Sequence, residues 1–380
     1  MSKFQLIYVL LISSIGLQYG WSQNLSLPPS GDNQKSMVMQ HIGGIVEVSV
    51  LYSSPDVTGP GGEDRTGKIW GQLVPYGLTD LGFGNGNPGP WRAGANENTV
   101  ITFSNDVTIE GQDLAAGSYG LHLITHESDP WTWIFSTNTS QWGSYYYNEN
   151  EDALRVDVQP ESCEHTEWLT YEFIDREPDG ATLALKWENK LIPMHIKVKD
   201  YNDLYVNTFE KELQGSAGFN HQNLVAASQF CLSHNTHLDQ ALIWADAAIS
   251  APFVGVKDFN TLQNKASILM KMDKMQEADE VMTTALADPT ATPFLIHNLG
   301  RQLINLGRKE KALDIFTYNY EHFDGVWPTS VGMARGLAAV ERYEEALKFA
   351  EMAYAEAPDQ LNKDAMKAAI DKLKMRQDIN

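Results

Sequence analysis

The chain has 380 residues and, with 28 Lys and Arg against 49 Asp and Glu, a formal net charge of −21. That acidity argues against nucleic acid and against anionic membrane surfaces as partners, because phosphate recognition needs clustered cations. A hydrophobic content of 43% argues against wholesale disorder, and the length predicts two or three domains.

Residues 1–23 read as an export signal: Lys3 supplies the positive start, Phe4 to Leu17 is almost continuously apolar, and a polar Ser/Pro segment follows without a stop-transfer pattern. No cysteine lies near the end of that run for lipid attachment, and no later segment reaches the roughly 20 apolar residues of a membrane span. An exported protein, periplasmic or extracellular and without an integral span after signal removal, is the expectation. The two cysteines, Cys163 and Cys231, have no zinc-site spacing, so no metal is expected from them, and a disulfide between them stays open.

Residues 24–40 are polar and read as an extended lead-in, followed by a β domain over 41–200. Residues 45–52 alternate as a strand. Residues 53–90 hold mostly loop chemistry, ending in Gly82-Phe83-Gly84-Asn85-Gly86-Asn87-Pro88-Gly89-Pro90, which no regular element survives. Strands are then expected at 99–103, 107–110, 118–125, 131–136, 152–158, 167–174, 181–187 and 194–198. Each is short, β-branched or aromatic, and bounded by turn residues. Glu188-Asn189-Lys190 is expected to close a hairpin. About nine strands without crossover helices predict an antiparallel β-sandwich or jelly-roll-like domain.

From about residue 203 the apolar spacing becomes helical, with 201–218 a linker or first helix and 219–376 a repeat region. Ala278, Ala312 and Ala346 stand 34 residues apart, each preceded twelve residues earlier by a small residue, Ala266, Gly300 and Ala334. The positions seven residues after each are Ala285, Asn319 and Ala353, so Asn319 breaks the small-residue rule. Ala241 opens a similar pattern 37 residues before Ala278. This resembles the tetratricopeptide repeat, in which small residues let paired helices cross closely. Four helix hairpins are expected, at 219–251, 257–288, 293–324 and 327–357. A last helix at 361–376, rich in Lys and Asp, would be the polar cap of a solenoid.

Several ordered motifs carry a second resemblance: Leu73-Val74-Pro75-Tyr76-Gly77, Trp91-Arg92-Ala93-Gly94-Ala95-Asn96-Glu97-Asn98-Thr99, Ala116-Gly117-Ser118-Tyr119-Gly120-Leu121, Trp142-Gly143-Ser144 and Asp152-Ala153-Leu154-Arg155-Val156. Together they resemble the domain-of-unknown-function family 2911, some of whose members carry a tetratricopeptide-like C-terminal part. The resemblance implies a secreted envelope protein of Bacteroidota-type bacteria and no activity. Residues 78–90 depart from the family, whose link there is often much shorter.

The candidate ligand-binding residues are Tyr76, Trp91, Arg92, Asn96, Glu97, His122 and Trp142. Arg92 offers a planar fork for a carboxylate, phosphate or sulfate, and Glu97 a base or a ligand for sugar hydroxyls. Against this, Arg92 and Glu97 could pair with each other, or Asn96 and Glu97 could satisfy backbone groups of an irregular loop. A lone Glu is not the paired carboxylate of a glycosidase. His122 sits mid-strand, where a structural role competes with that of a base. Among the aromatics, Trp131 and Trp133 share a strand face and are expected in the core, whereas Trp142, beside Gly143, is expected to be exposed and available to a sugar ring. No nucleophile elbow, P-loop, zincin helix or dinucleotide fingerprint occurs, and no cofactor is indicated. The leading expectation is a ligand-, glycan- or small-anion-binding β domain joined to repeats that engage a protein or peptide. The alternative is a hydrolase or lyase centred on Arg92, Asn96, Glu97 and His122.

Overall fold

The computed structural model describes residues 33–380, which divide into two compact units meeting between Lys199 and Asp200. The expected export signal and the first part of the lead-in lie outside the described residues.

The first unit has ten strands in two antiparallel sheets: β1 (Gln34–Ile42), β2 (Val46–Ser54), β3 (Thr99–Phe103), β4 (Val107–Ile109), β5 (Gln112–Leu114), β6 (Gly117–Ile124), β7 (Trp131–Ser136), β8 (Asp152–Val158), β9 (Glu161–Ile174) and β10 (Gly180–Val198). One sheet runs β1-β2-β3-β6-β7-β8 and the other β5-β4-β10-β9. Period-two alternation decides which face is inward. Val46, Val48 and Val50 on β2, Ile101 and Phe103 on β3, and Trp133 and Phe135 on β7 are all buried. The sheets lock face to face through particular pairs. Trp133 Nε1 donates to the Pro193 carbonyl at 2.9 Å, and the Tyr52 and Tyr171 rings meet edge to face at 4.8 Å. Trp131 and Trp133 are 2% and 0% exposed, core residues as their shared face predicts.

Two sequence expectations need correction. The β unit begins within the expected lead-in rather than at 41, because Gln34–Ile42 forms β1, paired along its whole length with β2 across a tight turn at Gly43 and Gly44, both with positive φ. It is an edge strand with Met37 and Met39 exposed, so it lacks the alternation that marks a half-buried strand. Glu188-Asn189-Lys190 does not close a hairpin; it lies inside β10, a single strand of 19 residues. Its turn-forming residues make a bulge instead. Glu188 takes φ 55°, the register against β9 slips on both sides of it, and its buried carboxylate accepts the Gly67 N–H.

The second unit is helical: α1 (Tyr201–Leu213), α2 (His221–His234), α3 (Leu238–Ser250), α4 (Phe259–Lys271), α5 (Met275–Leu286), α6 (Pro293–Asn305), α7 (Lys309–His322), α8 (Trp327–Ala339), α9 (Tyr343–Ala355) and α10 (Gln360–Lys374). The first helices of successive pairs begin at 259, 293 and 327 and the second at 275, 309 and 343, so both recur at intervals of 34. The array is tetratricopeptide-like. The period extends to the backbone: the residue turning each pair, Asp273, Gly307 and Glu341, is left-handed, with φ 62°, 76° and 64°. Ala266, Gly300 and Ala334 and their partners Ala278, Ala312 and Ala346 are buried where the helices cross. Asn319, which breaks the small-residue rule, is buried and donates through Nδ2 to the Pro293 carbonyl at 2.8 Å, tying α7 to the start of α6. α10 buries Met366, Ile370 and Leu373 and turns Lys367, Asp371, Lys372 and Lys374 outward, although Leu361 is exposed as well. Cys163 and Cys231 are both free thiols.

Phe316 is the largest side chain at these crossings, and three glycines leave room for it. A Cβ at Gly300, Gly332 or Gly336 would lie 2.5, 2.5 or 2.7 Å from its ring. Phe316→Ala should cost about 3–5 kcal/mol, read as a lower urea midpoint for the loss of helical signal.

Candidate functional site

The site begins with a tryptophan. Trp91 exchanges backbone hydrogen bonds with Leu123 of β6, at 3.1 and 2.8 Å, and stacks on Trp187 of β10 with ring centroids 5.9 Å apart. Trp70 packs against Trp91, Trp131 and Trp187, so one aromatic cluster ties two loop segments to both sheets. From this anchor the chain turns through two left-handed residues, Ala93 (φ 50°) and Asn96 (φ 58°), before entering β3. The loop's polar groups are largely accounted for: the Ala93 carbonyl accepts from Tyr171 OH at 2.8 Å and Thr99 Oγ1 at 3.1 Å, and Trp91 Nε1 donates to Gly94 O at 3.1 Å.

Arg92 points to the other side of that anchor. Its Nη1 donates to the Asn96 carbonyl at 2.6 Å, and its guanidinium carbon stands 5.7 Å from the centre of the Tyr145 ring. Gly143 makes this approach possible. It has φ 64°, and a Cβ there would lie 2.7 Å from the guanidinium carbon. Next in sequence, Ser144 Oγ lies 2.9 Å from His122 Nδ1. His122 is fully buried on β6, with the Tyr147 ring edge-on at 5.5 Å, and its Nε2 has no protein partner. Burial, reinforced by the nearby Arg92 charge, pushes the imidazole down to about 4, so it is neutral at pH 7. Tyr147 OH in turn donates to Asp152 Oδ2 at 2.7 Å and accepts from Arg155 Nη2 at 2.7 Å. Burial, then the Asp152 carboxylate, raise the phenol's pKa, so it stays protonated.

The sequence candidates therefore separate. Arg92 and His122 meet the 142–147 loop, and Asn96 joins Arg92 through its backbone carbonyl. Glu97 does not join them and does not pair with Arg92. Its Oε1 takes Lys35 Nζ of β1 at 2.6 Å and its Oε2 accepts from Ser53 Oγ at 3.3 Å. The Lys35 hydrogen bond holds the Glu97 carboxyl below the usual carboxylate range. Tyr76 is part-exposed and lays its ring over Gly71, where a Cβ would meet it at 2.5 Å. Trp142 is 60% exposed.

Two more rings of these loops face outward, Phe83 at 66% and Tyr146 at 51% exposure. Phe83 lies edge-on to both Tyr145 and Tyr146, at 5.5 and 6.2 Å. The two loops are joined by Asn85, whose N–H donates to the Tyr145 carbonyl at 3.1 Å and whose Nδ2 donates to the Tyr147 carbonyl at 2.9 Å. Phe83, Ser144 and Lys35 were not among the sequence candidates. A lone Phe amid Gly and Asn was the available signal for the first, since a breaker-rich loop has no core to bury it in. Nothing local marked the other two.

Among the described residues no carboxylate hydrogen-bonds His122, and its partner Ser144 is 2% exposed. Among the described residues, no group of three or more His, Cys, Asp or Glu could hold a metal ion. What remains accessible is a rim of aromatic rings beside a half-buried guanidinium.

Residues 33–196 match the family described as "Protein of unknown function (DUF2911)". No curated protein matches the chain. Among solved structures it is similar to MamA of AMB-1, at 13% identity and a TM-score of 0.27, over 41% of this chain and 81% of that one. A mutant MamA gives 13% identity and a TM-score of 0.26, over 41% and 84%.

Because the folded His122 binds its proton more weakly than a free imidazole, the unfolded chain holds more protons between about pH 4 and 6.5. Stability is therefore fully present above pH 6.5 and falls as the pH drops toward 4, by roughly 3 kcal/mol for this residue. The buried His297 of α6 shifts in the same direction. His122→Gln should flatten the β-unit part of this dependence, measured as urea midpoints from pH 4 to 7.5.

Proposed function

We propose, taking residues 33–196 as a β unit of that family, that the protein is a non-enzymatic, exported binding protein of the cell envelope. Its β unit takes a glycan on the aromatic loop face, and its helical repeats engage a protein or peptide. The observation that carries the glycan reading is the outward pair Phe83 and Tyr146, 6.2 Å apart, with Trp142 exposed on the same 142–147 loop, in a unit that buries Trp131, Trp133 and Trp187. Large apolar rings facing water together mark a contact surface. The C–H face of a pyranose is the natural partner of such a ring, with hydroxyls left for polar groups at the rim.

The protein-interaction reading draws on the helical array. A groove of about 520 Å³ runs across α2, α4 and α6, walled by Leu232, Met270, Met275 and Leu306. Lys271 and Arg308 line it and no acidic residue does. Such a surface suits an extended segment carrying an apolar side chain beside an acidic one.

Binding isotherms of the full chain against a set of soluble oligosaccharides test the first half. At least one should bind, and Trp142→Ala or Phe83→Ala should weaken it about tenfold or more without changing the urea midpoint. Absence of binding across the set, or binding indifferent to both variants, would overturn it. For the second half, fluorescent peptides with a leucine next to a glutamate should bind, and Lys271→Glu should weaken them by a similar factor while leaving oligosaccharide binding intact.

A further inference from the structure

We infer that the saccharide held on this face is an acidic one, seated by its carboxylate on Arg92; this rests on the glycan reading above and narrows it. A guanidinium has five N–H donors in a rigid fork. Arg92 engages the Asn96 carbonyl through Nη1, and no carboxylate of the described residues pairs with it. The nearest acid in sequence, Glu97, is taken by Lys35 and Ser53.

The cation is also built in. Gly143 has no side chain where a Cβ would strike the guanidinium, and Tyr145 lies beneath it. Tyr145 meets the exposed Phe83 edge-on, so charge and aromatic rim belong to one surface. With Nη1 occupied, the Nε–Nη2 edge remains, and its two parallel donors match the two oxygens of a carboxylate. A uronic acid combines the required parts: an apolar ring face for the aromatics and a planar acid for the fork.

The test compares an oligomer of galacturonic acid with its fully methyl-esterified form, which keeps the ring and removes the charge, by calorimetric titration of the full chain. The acid should bind about tenfold tighter than the ester or better, and Arg92→Gln should erase that difference by weakening the acid. Arg92→Lys, which keeps the charge and loses the fork, should fall between them and guards against a misfolded Gln variant. Equal affinity for acid and ester, both weakened by Trp142→Ala, overturns the acidic ligand and leaves the glycan reading standing. So does a preference for the acid that survives Arg92→Gln. If neither form binds, and no neutral oligosaccharide does, both readings fall.

Discussion

The stacking of Trp91 on Trp187 is the contact on which the loop face of the β unit depends. Between β2 and β3 the chain runs 44 residues, from 55 to 98, without a named strand or helix. Irregular backbone of that length needs anchors, because its polar groups have no ladder to join. Trp91 supplies one by bridging to β6 and stacking on β10, and Trp70 joins the same cluster. With Trp91 fixed, Arg92 must leave on the opposite side, toward Gly143 and Tyr145. The position of the half-buried cation thus follows from the packing of the neighbouring ring, Trp91 on Trp187.

The order and type of the strands could be read from residue chemistry wherever one face was buried and the other wet. β3 and β8 follow that pattern and were legible almost to the residue, whereas β7, buried on both faces, was legible from its aromatic and β-branched run between turn residues. The failures were of two physical kinds. β1 lies at an edge with Met37 and Met39 turned to solvent, so burial left no alternating pattern in its sequence. The Glu188 segment carries true turn chemistry, and its positive φ was in effect legible. Whether such a residue reverses the chain or only kinks it depends on the partner strand, here the unbroken β9, and that is not local information.

Much the same division holds for the site. Exposure of Trp142 and burial of Trp131 and Trp133 followed from local context. The partner of Glu97 did not: Lys35 is 62 residues away in sequence and reaches it across the paired strands β1, β2 and β3. The proximity of Arg92 to His122 is likewise a product of β6 lying beside β3, with the 142–147 loop folded over both. Residue types announced chemical capability, while the distances between them were set by sheet topology.

In the helical unit the sequence varies and the main chain does not. Asp273, Gly307 and Glu341 are two carboxylates of different length and a glycine, yet all three hold the same left-handed turn at 34-residue intervals. Each pair packs chiefly on its neighbours, so its stability is nearly a local sum. The mechanical consequence is that such an array, drawn out from its C-terminal end, yields first at α10 and then pair by pair rather than all at once. Each released pair adds roughly 110–120 Å of extended chain, so the unit can lengthen stepwise under load while the pairs behind it keep their shape.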